Sequence, residues 1–391
     1  MSLGRRPTSH RTVTAVVMTV LLTVTGCSRD ENDQPSGPCD SPPPVVGVST
    51  GSSILSMDAG SRDALLDRIS ALGVKGIRVD VPWPDLQPTP PPTSGPVLDP
   101  AATAVGDGIV DAARERGLSV MGVLDYTPVW AASGPPRDGS PPTMVPPRDP
   151  AEYARFAAAA ASHFAGRVES WEIGNEPNLD SFSHPPDPHG YARLVAAAAP
   201  EIRKADPAAT VVAGALSVAY DRWDNRSPTS FVDALEETGA LESVHAVSIH
   251  PYSYPHTPDP DRRAGTGEDP HEDVWSTLPA ISRRLGALTP PRELWITEFG
   301  SPTGTVRTAG GRVVTIDESA QSEAVSEAIG IARDSGVAQR VYLYTAQDPA
   351  GSGPVSGAVH DAEQRFGLYD SEGRERESAR AVRTMLCGPT G

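Results

Sequence analysis

The feature that most constrains this chain is a strand–helix alternation that recurs eight times from Val45 onward. Short, nearly all-apolar runs predict strands at Val45–Ser49, Gly76–Val81, Ser119–Leu124, Val168–Ile173, Thr210–Ala215, Ala246–His250, Glu293–Thr297 and Arg340–Tyr344. Runs of this kind suit parallel strands covered on both sides. Amphipathic stretches between them predict helices at Arg62–Leu72, Pro100–Arg116, Pro150–Phe164, His189–Lys204, Ser230–Thr238, Val274–Leu288, Ser319–Asp334 and Glu377–Leu386. Asp99-Pro100 and Asp149-Pro150 each join an N-cap to a first-turn proline. Eight such units with no composition break predict an α/β fold, a (β/α)8 TIM barrel over residues 45–391 as one domain. No Gly-rich phosphate loop follows a strand, which argues against a dinucleotide or P-loop fold.

Residues 1–26 read as an address rather than as part of the fold. Arg5, Arg6 and Arg11 precede an apolar run from Val13 to Val24, followed by Thr25-Gly26-Cys27. That order is a secretory signal, and the run is shorter than the about 20 residues that span a bilayer. Val24-Thr25-Gly26-Cys27 resembles a bacterial lipobox, which implies cleavage before Cys27 and its acylation; plain secretion is the alternative. Residues 27–44, polar, acidic and Pro-rich, then form an acylated flexible tether. Cys39 and Cys387 flank the folded region and suggest a disulfide in an oxidising compartment. The expected location is the outer face of the cell membrane or the cell envelope, as a lipoprotein.

Asp and Glu number 50 against 33 Lys and Arg, for a net charge of −17. Nucleic acid and anionic membrane surfaces, which need a basic patch, are therefore not expected partners. Membrane contact is expected through the N-terminal lipid alone, and the barrel is expected to work as a monomer.

Long connections follow the predicted strands 3, 6, 7 and 8: Pro128–Arg148, Pro251–His271, Gly300–Asp317 and Gln347–Gly373. In such barrels the site gathers at the C-terminal ends of the strands, where these loops lie. Thr305–Ile316 alternates polar and apolar residues around Ala309-Gly310-Gly311 and reads as a β-hairpin flap. Strand 4 runs out through Trp171-Glu172-Ile173-Gly174-Asn175-Glu176-Pro177-Asn178, and strand 7 through Trp295-Ile296-Thr297-Glu298-Phe299-Gly300. Glu176 and Glu298 thus leave the same mouth from strands three apart. A lone Glu at a strand end is usually just solvated. Two opposed ones fit hydrolysis of a glycosidic bond, where a protonated carboxyl releases the leaving oxygen and an ionised one works from the other face.

The Asn-Glu-Pro and Thr-Glu-Phe-Gly endings resemble those of clan A retaining glycoside hydrolases, most closely glycoside hydrolase family 39 and its relatives. Ile77-Arg78-Val79-Asp80 with Trp83, Tyr126-Thr127-Pro128-Val129-Trp130, His250-Pro251-Tyr252 and Phe366-Gly367-Leu368-Tyr369-Asp370 extend the resemblance across Val45–Leu386. It implies Glu176 as acid/base, Glu298 as nucleophile and Asn175 as the ligand of the hydroxyl beside the reacting carbon. It also implies a polysaccharide or oligosaccharide substrate.

Other candidates are weighed against plainer roles. Arg78 ends strand 2 and could hold Glu298 ionised, or pair structurally with Asp80. Tyr252 could hold Glu298 by its hydroxyl, and His250 could contact sugar or be a buried, satisfied histidine. Trp130 could stack on a sugar or anchor a loop, and Tyr344 is a weaker candidate of the same sort. Trp171 and Trp295 read as core, and Glu172 and Glu293 as pairing or solvated residues. His184 and His189 share a loop, but no carboxylate–His spacing on rigid elements supports a metal. No cofactor is expected, and no Gly-x-Ser-x-Gly motif supports an esterase. The competing functional reading is a non-catalytic carbohydrate-binding lipoprotein on an inactive barrel.

Overall fold

A computed structural model describes Met1 and residues 44–388, apart from 93–96, 137–138, 140, 223, 263–268, 309–310 and 352–360. Eight parallel strands close into a barrel: β1 (Val45–Gly51), β2 (Gly76–Asp80), β3 (Ser119–Leu124), β4 (Ser170–Ile173), β5 (Thr210–Ser217), β6 (Ala246–His250), β7 (Glu293–Phe299) and β10 (Arg340–Tyr344). Strands β8 (Gly304–Arg307) and β9 (Val313–Ile316) pair antiparallel as the expected hairpin, Gly304 opposite Ile316. The helices are α1 (Ala59–Ala71), α2 (Trp83–Leu86), α3 (Pro100–Glu115), α4 (Pro150–His163), α5 (Pro188–Ala205), α6 (Pro228–Glu237), α7 (Val274–Gly286), α8 (Glu318–Ser335) and α9 (Glu377–Cys387). Around the barrel the order is β1-β10-β7-β6-β5-β4-β3-β2, so β10 closes the ring against β1.

The Asp-Pro signals act as expected. Asp99 Oδ1 accepts from the Ala101 and Ala102 amides at 2.8 and 3.0 Å, and Asp149 Oδ1 from the Ala151 amide at 2.9 Å. Each satisfies donors that a helix start leaves open, while the proline has no N–H to waste. The short helix α2 lay outside the sequence expectation; four residues are too few to show a period.

The barrel interior is layered. Met121, Val212, Ala246, Trp295 and Tyr342 form an apolar floor. Above it, on the same inward face of alternating strand residues, stand Ser49, Arg78, Glu172 and Ser248, all buried. The mouth comes next. Two register irregularities shape it. Between Val341↔Ile296 and Leu343↔Phe299, β7 spends three residues against two on β10. Trp295 and Thr297 already face inward, so strict alternation would turn Glu298 towards the helices; the extra residue turns it into the mouth. In β5 a matching shift falls between Ala213 and Leu216, at Gly214, whose φ is +149°. A Cβ there would meet Ser248 Oγ at 2.1 Å, so only glycine fits.

Among the described residues no helix is long and apolar enough to cross a membrane. Cys387 is disulfide-bonded at the end of α9. Its expected partner Cys39, the acylation candidate Cys27, the signal segment and residues 27–43 of the tether lie outside the described residues.

Candidate active site

Glu176 stands three residues beyond β4, buried, with φ at +45°, a left-handed conformation rare for a side chain that is not glycine. Such a conformation costs roughly 1–3 kcal/mol and persists only where surrounding bonds impose it. Here the Glu176 amide donates to the Ala215 carbonyl at 2.8 Å, on the irregular stretch of β5. Asn178, fully buried, ties down the following turn: its Nδ2 donates to the Ser217 and Arg226 carbonyls, each at 2.8 Å, and its Oδ1 accepts from the Ser217 amide at 2.8 Å.

Glu298 faces it with a different set of partners. Oε1 accepts from Arg78 Nη1 at 2.5 Å and from Ser49 Oγ at 3.3 Å, and Oε2 from the Tyr252 hydroxyl at 2.8 Å. Burial alone would raise this carboxyl; His250, Arg78 and the bonds from Tyr252 and Ser49 outweigh it and hold it below its ordinary value. One carboxylate oxygen of Glu176 and one of Glu298 lie within 4.8 Å of each other and of a ring nitrogen of His250. That is close to the roughly 5 Å used for direct attack on carbon, and well short of the spacing that leaves room for a water.

Arg78 organises the site. Nε and Nη2 reach Glu172 Oε2 at 2.7 Å, Nη1 also reaches Ser49 Oγ at 3.2 Å, and Nη2 reaches Asn175 Oδ1 at 2.8 Å. With Glu298, these partners occupy all of its donor groups. Glu172 is completed by the Ser248 hydroxyl at 2.5 Å and is fully buried, so it is a pairing residue. Asp80, the plainer partner considered for Arg78, receives no N–H from it.

His250 is fully buried. Its Nδ1 lies 2.8 Å from Glu176 Oε1 and 3.6 Å from Glu298 Oε2, and its Nε2 lies 3.2 Å from Thr297 Oγ1. An ionised carboxylate only accepts, so Nδ1 donates to Glu176, and Nε2 pairs with the Thr297 hydroxyl. This corrects the expectation of a sugar contact: His250 touches the two acids from beneath. Trp130 is weighed between a sugar platform and a loop anchor. Its Nε1 donates to the Gln87 carbonyl at 3.0 Å and its ring meets Trp83 edge-on at 5.6 Å, which makes it a loop anchor. Tyr344 stands beside Tyr252, ring centroids 6.3 Å apart, and donates to Glu363 Oε2 at 3.3 Å. Trp171 and Trp295 are core, as read from the sequence.

Ser49, Ser248, Thr297, Asp125 and Glu363 reach the site without having been singled out, and Asp80 had been named only as a structural partner for Arg78. Asp80 falls two residues after Arg78 in a strand and so faces the same way, a signal that was available. Glu363 comes from the connection after β10 and left none. His184 pairs with Asp180 at 2.5 Å and His189 approaches Glu237 at 3.9 Å, so the two histidines do not converge on one site. The trio Glu176, His250 and Glu298 could reach a cation, but the Arg78 guanidinium already neutralises Glu298 there.

An ionised carboxylate held by an arginine, opposed across a barrel mouth by a second carboxyl at the close spacing of direct attack on carbon, is the arrangement of retaining, clan A glycoside hydrolases. The chain belongs to glycosyl hydrolase family 5: the model of the family described as Cellulase (glycosyl hydrolase family 5) matches residues 39–329. At the family level this corrects the closer resemblance to family 39. No curated protein sequence matches the chain. Family 39 does appear among similar solved structures. A family 39 glycoside hydrolase from the gut symbiont Bacteroides cellulosilyticus WH2 superposes with a TM-score of 0.65 at 22% identity, covering 88% of this chain and 64% of that one. The chain therefore spans somewhat less than two thirds of that protein. A GH5_18 structure from Streptomyces cattleya in complex with GlcNAc has a TM-score of 0.61 at 19% identity, covering 88% and 80%. A monomeric beta-xylosidase from Caulobacter crescentus CB15 has a TM-score of 0.60 at 18% identity, covering 88% and 69%. At these identities the likeness is one of fold.

Proposed function

We propose that the protein is a retaining glycosidase that cleaves an extracellular or cell-envelope polysaccharide by double displacement, with Glu298 as nucleophile and Glu176 as acid/base. The observation that carries this is the approach of their carboxylate oxygens to within 4.8 Å, in surroundings that stabilise the charge on Glu298. Glu298 attacks the anomeric carbon while Glu176 gives its proton to the leaving oxygen. Glu176 then takes a proton from water, which releases the sugar with its configuration retained. Asn175 bonds Arg78 through Oδ1, which leaves its NH2 group for a sugar hydroxyl. Arg78 and Tyr252 hold the nucleophile, His250 orients the acid, and Tyr344 lines the mouth. The long connections after β3, β6 and β10 favour a cleft for internal cleavage.

The signal at residues 1–26 and acylated Cys27 would put this monomeric barrel outside the cell on the tether 27–44, with Cys39 bonded to Cys387. A non-catalytic sugar binder has no use for two opposed carboxylates with distinct partners, which favours the enzyme.

The test is a screen of envelope polysaccharides and aryl glycosides with residues 40–391. Glu298→Ala should be inactive on every substrate. Glu176→Ala should retain activity only on activated aryl glycosides, whose leaving groups need no proton. Full activity of either variant on polysaccharide would sink the assignment, and the anomeric configuration of the first-formed product, followed by NMR, tests retention.

A further inference from the structure

Around the mouth, the arc formed by β10, β1, β2 and β3 carries acids that the chemistry above does not use. Asp80 lies two residues beyond Arg78 on the inward face of β2 and is only 7% exposed. Asp125 follows β3 in the inward row of Met121 and Val123; it is 2% exposed, and neither carboxyl oxygen has a hydrogen-bond partner. Glu363 comes over the same arc from the loop after β10, its carboxylate tied among the described residues only to the Tyr344 hydroxyl at 3.3 Å. These acids border one side of the mouth: Asp80 stands opposite Val123 on the row that Asp125 continues, and Tyr344, which bonds Glu363, stands opposite Ser49 of the intervening β1.

Among the described residues the fixed cation of this space is Arg78, and its donors are consumed by Glu172, Ser49, Glu298 and Asn175. His250, the other basic group facing it, lies against Glu176 and Glu298. Asp361 and Asp85 add further negative charge at the edges. A buried carboxylate without a donor or counter-ion is unfavourable by several kcal/mol, so such a group takes up a proton or awaits a cation.

We propose that this arc is a subsite for a sugar carrying a free ammonium group, read by Asp80 and Glu363, so that the substrate is a glycan containing de-N-acetylated amino sugar rather than one bearing carboxylates. The inference rests on the glycosidase reading and names its substrate class. An ammonium group offers three N–H donors and one positive charge, which the arc lacks. A uronic acid would add a further negative charge to a mouth already in excess. The titration behaviour agrees. Burial pushes Asp80 up to about 6, with Glu298 and Glu172 adding to it against Arg78's opposing pull, and burial next to Asp80 raises Asp125 well above the ordinary value. Burial and the charges of Glu298, Glu176 and Asp361 push Glu363 up to about 7. Seating a cation should therefore expel protons.

The experiment measures binding calorimetrically to Glu176→Gln, which needs no turnover. A glucosamine tetramer, an N-acetylglucosamine tetramer and cellotetraose are compared in two buffers of different ionisation enthalpy. The glucosamine tetramer should bind at least thirtyfold more tightly than either neutral tetramer, with proton release. Adding Glu363→Gln or Asp80→Asn should narrow that gap about tenfold each. Equal or weaker binding of the glucosamine tetramer would overturn the proposal. So would a preference that survives in both variants, since that would report only the overall negative charge of the chain. Should the proposed function fail in the hydrolysis screen, the binding preference would still be measurable, so the two failures are distinct.

Discussion

Arg78 Nη1 lies 2.5 Å from Glu298 Oε1, although the two residues sit on β2 and β7 and are 220 positions apart. The same guanidinium also holds Glu172 and Asn175, so one side chain links the charged layer of the barrel to both strand ends that carry the reactive acids.

Removing that link should unfold or strongly destabilise the protein. Arg78→Met leaves Glu172 fully buried with its charge opposed only by a serine hydroxyl, a loss on the order of 3–5 kcal/mol. The double change Arg78→Met with Glu172→Gln should recover part of it, because the stranded charge is gone. Denaturant midpoints of the three proteins check this, and equal midpoints for single and double variants would contradict it.

The acid limb of kcat/KM reports the nucleophile in the free enzyme. Glu298 is held below its ordinary value, so activity should persist to pH values under the usual carboxylate range and be lost as pH falls through that lowered value. Tyr252→Phe removes one hydrogen bond to the ionised form and should move this limb upward. An unmoved limb would mean that Tyr252 does not act on Glu298.

Gly300 follows β7 directly, and a Cβ there would meet the Tyr344 carbonyl oxygen at 2.0 Å. Neither backbone can yield cheaply. Gly300→Ala should therefore displace Glu298 and lower kcat at least a hundredfold, since misplacement by about 1 Å is enough for that. Near-normal kcat would show that the strand end tolerates the shift.

Asp80 should make the protein less stable as pH rises. Its folded value of about 6 lies above the ordinary value of 3.8, so the folded state binds the proton more tightly. The stabilisation is complete below the lower value and is lost as pH rises through the folded one. Asp80→Asn should match the parent near pH 4 and exceed it above pH 7, by at most about 3 kcal/mol. Thermal melts across that range test the sign.

Much of this protein could be read from its chain. All eight barrel strands and eight helices lie where apolar runs and Asp-Pro starts put them, because both signals are local. Glu176 and Glu298 were found because each ends a strand inside a short motif. The partners of those acids were harder to see. Glu172 looked like any acid near a strand end, and its burial depends on Arg78 from β2 and Ser248 from β6. His250 looked like a sugar ligand until the closed barrel placed it beneath two carboxylates.

The sequence alone determined the alternation, the barrel class and the two acids proposed as reactive, since periodicity and motif spacing are properties of neighbouring residues. The tertiary structure alone decided which way Glu298 points and what surrounds it. An extra residue in β7 is a register relation with β10 that neither strand shows by itself. The uncompensated acids of the mouth are likewise a sum over four strands and a loop, and such sums of charge exist only once the ring has closed.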